Sequence, residues 1–188
     1  MTPFIQFLTA LHPLSPAATI FITNATETIY LNRGETLFPR GKIAHKFCFI
    51  ESGSLAAYRP SEEKNIATRF WLENQIVFCT DSLVNNQPLI EKIVALEECK
   101  LNCISFNKFQ TIITQHIHFC NNILKIVANE QIHYMEWTFL ICTSTYEDRY
   151  LYFRKNYNKI FNLISAEAIA SSLNMSGSKL SRLRKMNH

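Results

Sequence analysis

The chain is poor in glycine, with 4 in 188 residues, and the four are scattered. That excludes the glycine-rich loops with which P-loop and dinucleotide-binding proteins bring backbone N–H groups to a phosphate. Long apolar runs are also missing. A stretch such as Ala17-Ala18-Thr19-Ile20-Phe21-Ile22 falls far short of the ~20 residues a membrane helix needs. The opening MTPFIQFLTALHPLSPAATIF contains no Lys or Arg, so it lacks the basic start of a signal peptide. Six cysteines are present, with no CxxC among them. The closest pair, Cys99 and Cys103, would share one face of a strand about 13 Å apart, too far for one metal ion. No Ser/His/Asp set stands out. The expectation is a soluble, cytoplasmic protein with reduced, mostly buried thiols.

At 47% apolar and 12% aromatic, the chain has material for a good core, as one large domain or one domain plus a small module. The net charge of +4 is modest, but its placement is uneven. Residues 145–188 hold Arg149, Arg154, Lys155, Lys159, Lys179, Arg182, Arg184 and Lys185 against Glu147, Asp148 and Glu167, a surplus of +5. Residues 1–144 carry −1. Such asymmetry points to an anionic partner for the last quarter.

The hydrophobic period changes along the chain. The first 24 residues read as helical pieces broken by Pro13 and Pro16, with Ser15 as N-cap of the second. From Thr26 to Ser105 short β-branched and aromatic runs alternate with turns at Asn32-Arg33-Gly34, Gly41 and Glu51-Ser52-Gly53. That spacing predicts an all-β sandwich or barrel. After Ser105, itself an N-cap candidate, the pattern is helical. The stretch from Ile117 to Cys142 has no Gly or Pro and predicts a helix near 40 Å long, at about 1.5 Å per residue. It shows two apolar stripes: Ile117, Cys120, Leu124, Val127, Gln131 and Tyr134; and Ile123, Ile126, Ile132 or His133, Trp137 and Leu140. Two apolar faces predict two packing partners, the β domain and the same helix of a second subunit, or else one helix wrapped within a monomer. Residues 146–164 read as a further helix, with Tyr146, Tyr150, Phe153 and Tyr157 on one side.

The last 24 residues, SAEAIASSLNMSGSKLSRLRKMNH, form two helix-like pieces. Ser165 is the N-cap candidate of the first, with Glu167 near its positive end. Ile169, Ala170 and Leu173 face inward, and small Ala170 allows a close crossing. Asn174 suits a left-handed turn, and Ser176 caps the second piece. Leu180 and Leu183 face back, while Lys179, Arg182 and Lys185 face away beside Ser178 and Ser181. This is a helix-turn-helix pattern, whose second helix would lie in the DNA major groove with basic side chains on phosphates or guanine edges.

IASSLNMSGSKLSRLRK resembles the helix-turn-helix of the bacterial Crp/Fnr-type transcription regulators. EDRYLYFRKNYNKIFNLIS is similar to their lead-in segment, YLNRGETLFPRGKIAHKFCFIESGSLAAYR to the first half of their β-roll, and ALEECKLNCIS to its last strands. The resemblance implies an α+β protein with an N-terminal double-stranded β-helix (a jelly-roll of the cyclic-nucleotide-binding type), a long central dimerisation helix and a C-terminal helix-turn-helix. The expected divisions are 1–115, 116–143 and 144–188. It further implies a homodimer reading pseudo-palindromic double-stranded DNA, no enzyme activity, no membrane, RNA polymerase as a partner, and a roll that answers to an effector.

The chain departs from that family where the cyclic nucleotide would sit. Aligned back from Cys99-Lys100-Leu101, the family's Gly-Glu pair falls on Phe78-Cys79 and its Arg-Ser pair on Leu89-Ile90. None of these can hold a ribose or a cyclic phosphate, so control by cAMP is not expected and no cofactor is. An iron–sulfur site is excluded because no cysteine precedes Cys48, and no histidine stands out as a haem ligand. Since the chain stops at His188, no wing is expected after the second helix, and readout rests mainly on Lys179 and Arg182. Two alternatives stay open: a sensor or scaffold whose helix-turn-helix no longer binds DNA, and a cupin-like metal enzyme suggested by Gly41, His45, Glu51 and Gly53.

Overall fold

The computed structural model describes residues 1–61 and 65–186. Two helices open the chain, α1 (Pro3–Leu11) and α2 (Pro16–Ala25). The Ser15 hydroxyl accepts from the Ala18 N–H, as expected of a Ser-Pro helix start. The strands are β1 (Glu27–Leu31), β2 (Thr36–Phe38), β3 (Lys46–Ser52), β4 (Leu55–Pro60), β5 (Asn65–Trp71), β6 (Ile76–Val77), β7 (Lys92–Ala95) and β8 (Cys99–Ser105), with helix α3 (Thr80–Asn85) between β6 and β7. Helices α4 (Phe106–Gln115), α5 (Phe119–Thr143), α6 (Tyr146–Asn156), α7 (Asn158–Phe161), α8 (Ala166–Ser172) and α9 (Gly177–Met186) complete it. No helix among the described residues is long and apolar enough to cross a membrane.

The strands form two antiparallel sheets, ordered β1-β8-β3-β6 and β2-β7-β4-β5. Strand β3 shows why the sheets pack as a roll. Phe47, Cys48, Phe49 and Ile50 are all buried, because each face has its own cover. Cys48 and Ile50 point between the sheets, with Leu55, Trp71, Ile93 and Leu101. Phe47 and Phe49 point outward into an aromatic layer with Phe4, Phe109 and Phe119, where Phe49 stacks on Phe4 at 5.3 Å. Each such side chain contributes about 1.5–3 kcal/mol by leaving water. Gly53 sits at the β3–β4 turn with φ +97, and a Cβ there would lie 2.6 Å from both Cys99 Sγ and the Glu98 carbonyl. Both conformation and space restrict this position to glycine.

A third buried cluster joins the outer face of β4 and β5 to the C-terminal helices. Ala56, Ala67 and Phe70 meet Phe153, Tyr157, Ile160, Ile169 and Leu173. The two alanines let α8 lie close to the sheet, where the Ser171 hydroxyl accepts from the Ala67 N–H. Lys159 ties the same surfaces at the edge, pairing with Glu73 at 3.1 Å and Glu97 at 2.9 Å.

Three expectations are corrected. Cys48 and Cys103 are joined as a disulfide rather than being free thiols. The register of β3 against β8 sets them directly opposite, Cα atoms 4.1 Å apart, and register over 55 residues of separation is invisible to spacing. Cys79, Cys99, Cys120 and Cys142 are free. Ile117 lies outside the long helix, because the chain turns at 116–118 with the Phe119 and Cys120 N–H groups donating to the His116 and Ile117 carbonyls. The helix read over 146–164 breaks at Tyr157, whose φ is −128. Its ring fills the space among Phe70, Trp137 and Phe153, and flanking Asn156 and Asn158 are weak helix formers.

Candidate nucleic-acid interface and sensor cavity

The turn between α8 and α9 is built locally. Ser165 caps α8 by accepting from the Ala168 N–H at 3.1 Å. Asn174 then adopts φ 50, its N–H donates to the Ser171 carbonyl, and the Met175 N–H reaches back to the Ala170 carbonyl. That pair of bonds is the Schellman closure, with buried Met175 as its apolar contact. Ser176 accepts from the Lys179 N–H at 3.3 Å and so starts α9. Arg149 of α6 adds a clamp that sequence reading did not find. Its guanidinium donates to the Leu173 carbonyl at 3.2 Å and the Asn174 carbonyl at 3.4 Å. The only sequence signal was its charge.

Leu180 and Leu183 are buried on the inner side of α9. Ser176, Ser178, Ser181, Arg182 and Lys185 lie together on the exposed side. Lys179 is half-buried, its ammonium 5.3 Å from the Tyr146 ring. The local charge surplus is thereby divided. Arg149, Lys159 and Arg184 (whose guanidinium covers the Phe161 ring at 4.5 Å) serve packing. Arg182 and Lys185, with Lys179 at the margin, face solvent. The last two residues of the segment 144–188, Asn187 and His188, and with them the expected absence of a wing, lie outside the described residues.

The two faces of α5 also differ. Phe119, Asn122 and Ile126 are buried, and Asn122 donates to the Leu8 and His12 carbonyls at 2.6 and 2.9 Å. Further along, His133 rather than Ile132 continues the inner stripe. It shares a hydrogen bond with the Tyr157 hydroxyl through Nε2 at 3.0 Å, while Ile132 is exposed. Burial, and then the Arg69 charge, hold the His133 pKa below the ordinary histidine value. The opposite face is bare. Leu124 is 66% exposed and Phe139 69%, with Val127 and Met135 between them, while Tyr134 of the same stripe is half-exposed at the margin, its ring against Arg69. Gln131 is exposed and Cys120 half-buried on the same side.

The four positions aligned with the nucleotide site come together. Phe78, Cys79, Leu89 and Ile90 all line one cavity of about 310 Å³ at the mouth of the roll, with α3 on one side and α5 on the other. Arg69 of β5 bridges it. Its guanidinium pairs with Glu130 of α5 and lies 4.6 Å from the ring centres of both Trp71 and Tyr134. Asp81 and Glu91 also line the space. Burial, and then Glu91, push the Cys79 thiol up to about 12, so it is a neutral group there. A cyclic phosphate does not fit this lining. Its anion would find one cation already neutralised by Glu130, and two further carboxylates.

Elsewhere, the positions that invited the cupin comparison serve the roll. The Glu51 carboxylate receives Lys100 and the Asn102 amide, and the Lys100 bond holds its pKa below the carboxylate range. The His45 carbonyl accepts from the Phe106 N–H.

Residues 28–116 match the family model described as "Cyclic nucleotide-binding domain". The structure is similar to a protein of the Crp/Fnr family from Eubacterium rectale at TM-score 0.75 and 16% identity, covering 96% of this chain and 87% of that one. It is similar to FixK2 from Bradyrhizobium japonicum at TM-score 0.74 and 13% identity, covering 87% and 84%. The catabolite activator protein of Thermus thermophilus aligns at TM-score 0.58 and 15% identity, covering 96% and 85%. No curated protein matches the chain. The chain therefore shares its fold with the Crp/Fnr-type transcription regulators, and residues 28–116 are the part that is similar to the cyclic nucleotide-binding domain model.

Proposed function

We propose that this protein is a cytoplasmic DNA-binding transcription regulator of the Crp/Fnr type, not an enzyme, and that cAMP does not control it. Residues 1–115 serve as the sensor, 116–143 as the dimerisation segment and 144–188 as the DNA-binding unit. The observation that carries this reading is α9: an exposed Ser/Arg/Lys face beside a turn fixed by Asn174 and Arg149, backed by buried Leu180 and Leu183. Arg182 and Lys185, with Lys179, meet phosphates or guanine edges, and Ser176, Ser178 and Ser181 supply short polar contacts. The bare face of α5, from Leu124 through Phe139, joins two copies, so that two such helices address a pseudo-palindromic site. RNA polymerase is a further partner of such a complex.

The test is fluorescence anisotropy of a labelled duplex-DNA pool across a salt series, with wild type beside Lys179→Glu/Arg182→Glu. Wild type should bind with a log–log salt slope near −0.9 per phosphate contacted, and the variant should lose at least about 30-fold, since each charge contact is worth about 1–3 kcal/mol. Equal binding by both proteins would remove α9 from the interface. A second reading, a sensor or scaffold that does not bind DNA, is favoured by the lean of Lys179 onto Tyr146 and by the short side chains that open α9. Its signature is the absence of binding by wild type even at low salt.

A further inference from the structure

Beyond the DNA-binding reading, the cavity at the mouth of the roll has its own chemistry. Two donors beside it have no hydrogen-bond partner among the described residues, Nε of Arg69 and Nε1 of Trp71. Arg69 is 9% exposed and Trp71 2%. Each unmet buried donor costs about 1–3 kcal/mol, so this pair favours an acceptor. The acceptor is not an anion. Glu130 already neutralises Arg69, and Asp81 and Glu91 make the remaining lining negative. The uncharged lining is led by apolar Phe78, Leu89, Ile90 and the faces of Trp71 and Tyr134, with Thr80, Ser82 and Gln87 as its neutral polar members. At about 310 Å³ the space is at the small end of ligand cavities.

We propose that this cavity binds an uncharged small molecule with an apolar body and one carbonyl-type acceptor, such as a lactone. The carbonyl oxygen takes the Arg69 and Trp71 N–H groups as the guanidinium slides along the indole face. The body lies against Phe78, Leu89 and Ile90. Because Arg69 also holds Glu130 and Tyr134 of α5, the ligand acts where the roll meets the long helix.

Trp71 and Trp137 are the two tryptophans of the chain, so a Trp137→Phe background leaves Trp71 as the reporter. The probes are γ-decalactone, decanoate (the same carbon number with a charge) and cAMP. Saturable quenching of Trp71 by the lactone is expected, at least tenfold tighter than by decanoate or cAMP. Asp81→Asn/Glu91→Gln should narrow that gap by improving decanoate. Leu89→Phe and, at the more exposed rim, Ile90→Phe should each weaken the lactone without loss of the folded circular dichroism spectrum. The proposal is overturned if the lactone gives no saturable signal, if decanoate or cAMP binds as tightly, or if neither folded phenylalanine variant alters lactone binding. None of these readouts involves DNA, so failure of the regulator reading would be seen separately.

Discussion

The roll and the C-terminal unit keep the pattern of their fold relatives to different degrees. In the C-terminal unit the pattern and the surface agree: the capping serines, the left-handed Asn174 and the exposed Arg182 stand where the motif implies. In the roll, strand order and turns are retained, and Gly53 still has no room for a side chain. Yet the cavity positions hold Phe78, Cys79, Leu89 and Ile90. A scaffold is maintained by many small packing terms spread over its core, whereas a ligand site depends on a few polar groups. The second can change while the first persists.

The two regions are nonetheless one packed body, and the sharpest way to break the comparison is at their shared core. Phe153 is fully buried against Phe70 of β5. Phe153→Ala should cost about 3–5 kcal/mol, and chemical denaturation followed by Trp71 fluorescence should report the loss in the roll as well. An unchanged roll transition would show that the two regions unfold independently. Gly53→Ala confines the damage to the roll. It should destabilise by more than about 1 kcal/mol, since it combines positive φ with a close approach, and leave the exposed face of α9 intact in low-salt DNA binding.

Arg149→Ala tests the other region alone. Losing two charge-assisted bonds to the turn should cost about 1.5–3 kcal/mol and weaken DNA binding without removing a basic group from the α9 face. On α5, Leu124→Glu/Val127→Glu should shift the protein to monomer in analytical ultracentrifugation while its melting temperature changes little, because both side chains are exposed in one copy.

The smallest effect concerns pH. The folded pKa of His133 lies below its ordinary value of 6.5, so near that pH the unfolded chain binds a proton that the folded chain does not. Stability therefore falls as pH drops below about 6.5, and the slope vanishes below the folded pKa. Melting temperature should decline from pH 7 to 5.5, and His133→Gln should flatten that decline. The lowered carboxylates Glu35, Glu51 and Glu73 act below this window, since they start from 4.5.

Local features were legible in the chain before any coordinates. Ser15 and Ser165 as caps, Asn174 as the turn, the inward Leu180 and Leu183, and the switch from strand to helix after Ser105 all depend on neighbours within a few residues. Backbone conformation and side-chain spacing act at that range. The choice of His133 over Ile132 was not legible, because both fit the stripe and the Tyr157 hydroxyl that decides between them lies 24 residues away. The Cys48–Cys103 bond, the Arg69 bridge to Glu130 and the Arg149 clamp likewise join residues 55, 61 and 24 to 25 positions apart. Periodicity assigns a residue to a face of its own element. Which element covers that face follows from sheet order, register and helix crossing, and these are settled only when the whole core packs at once.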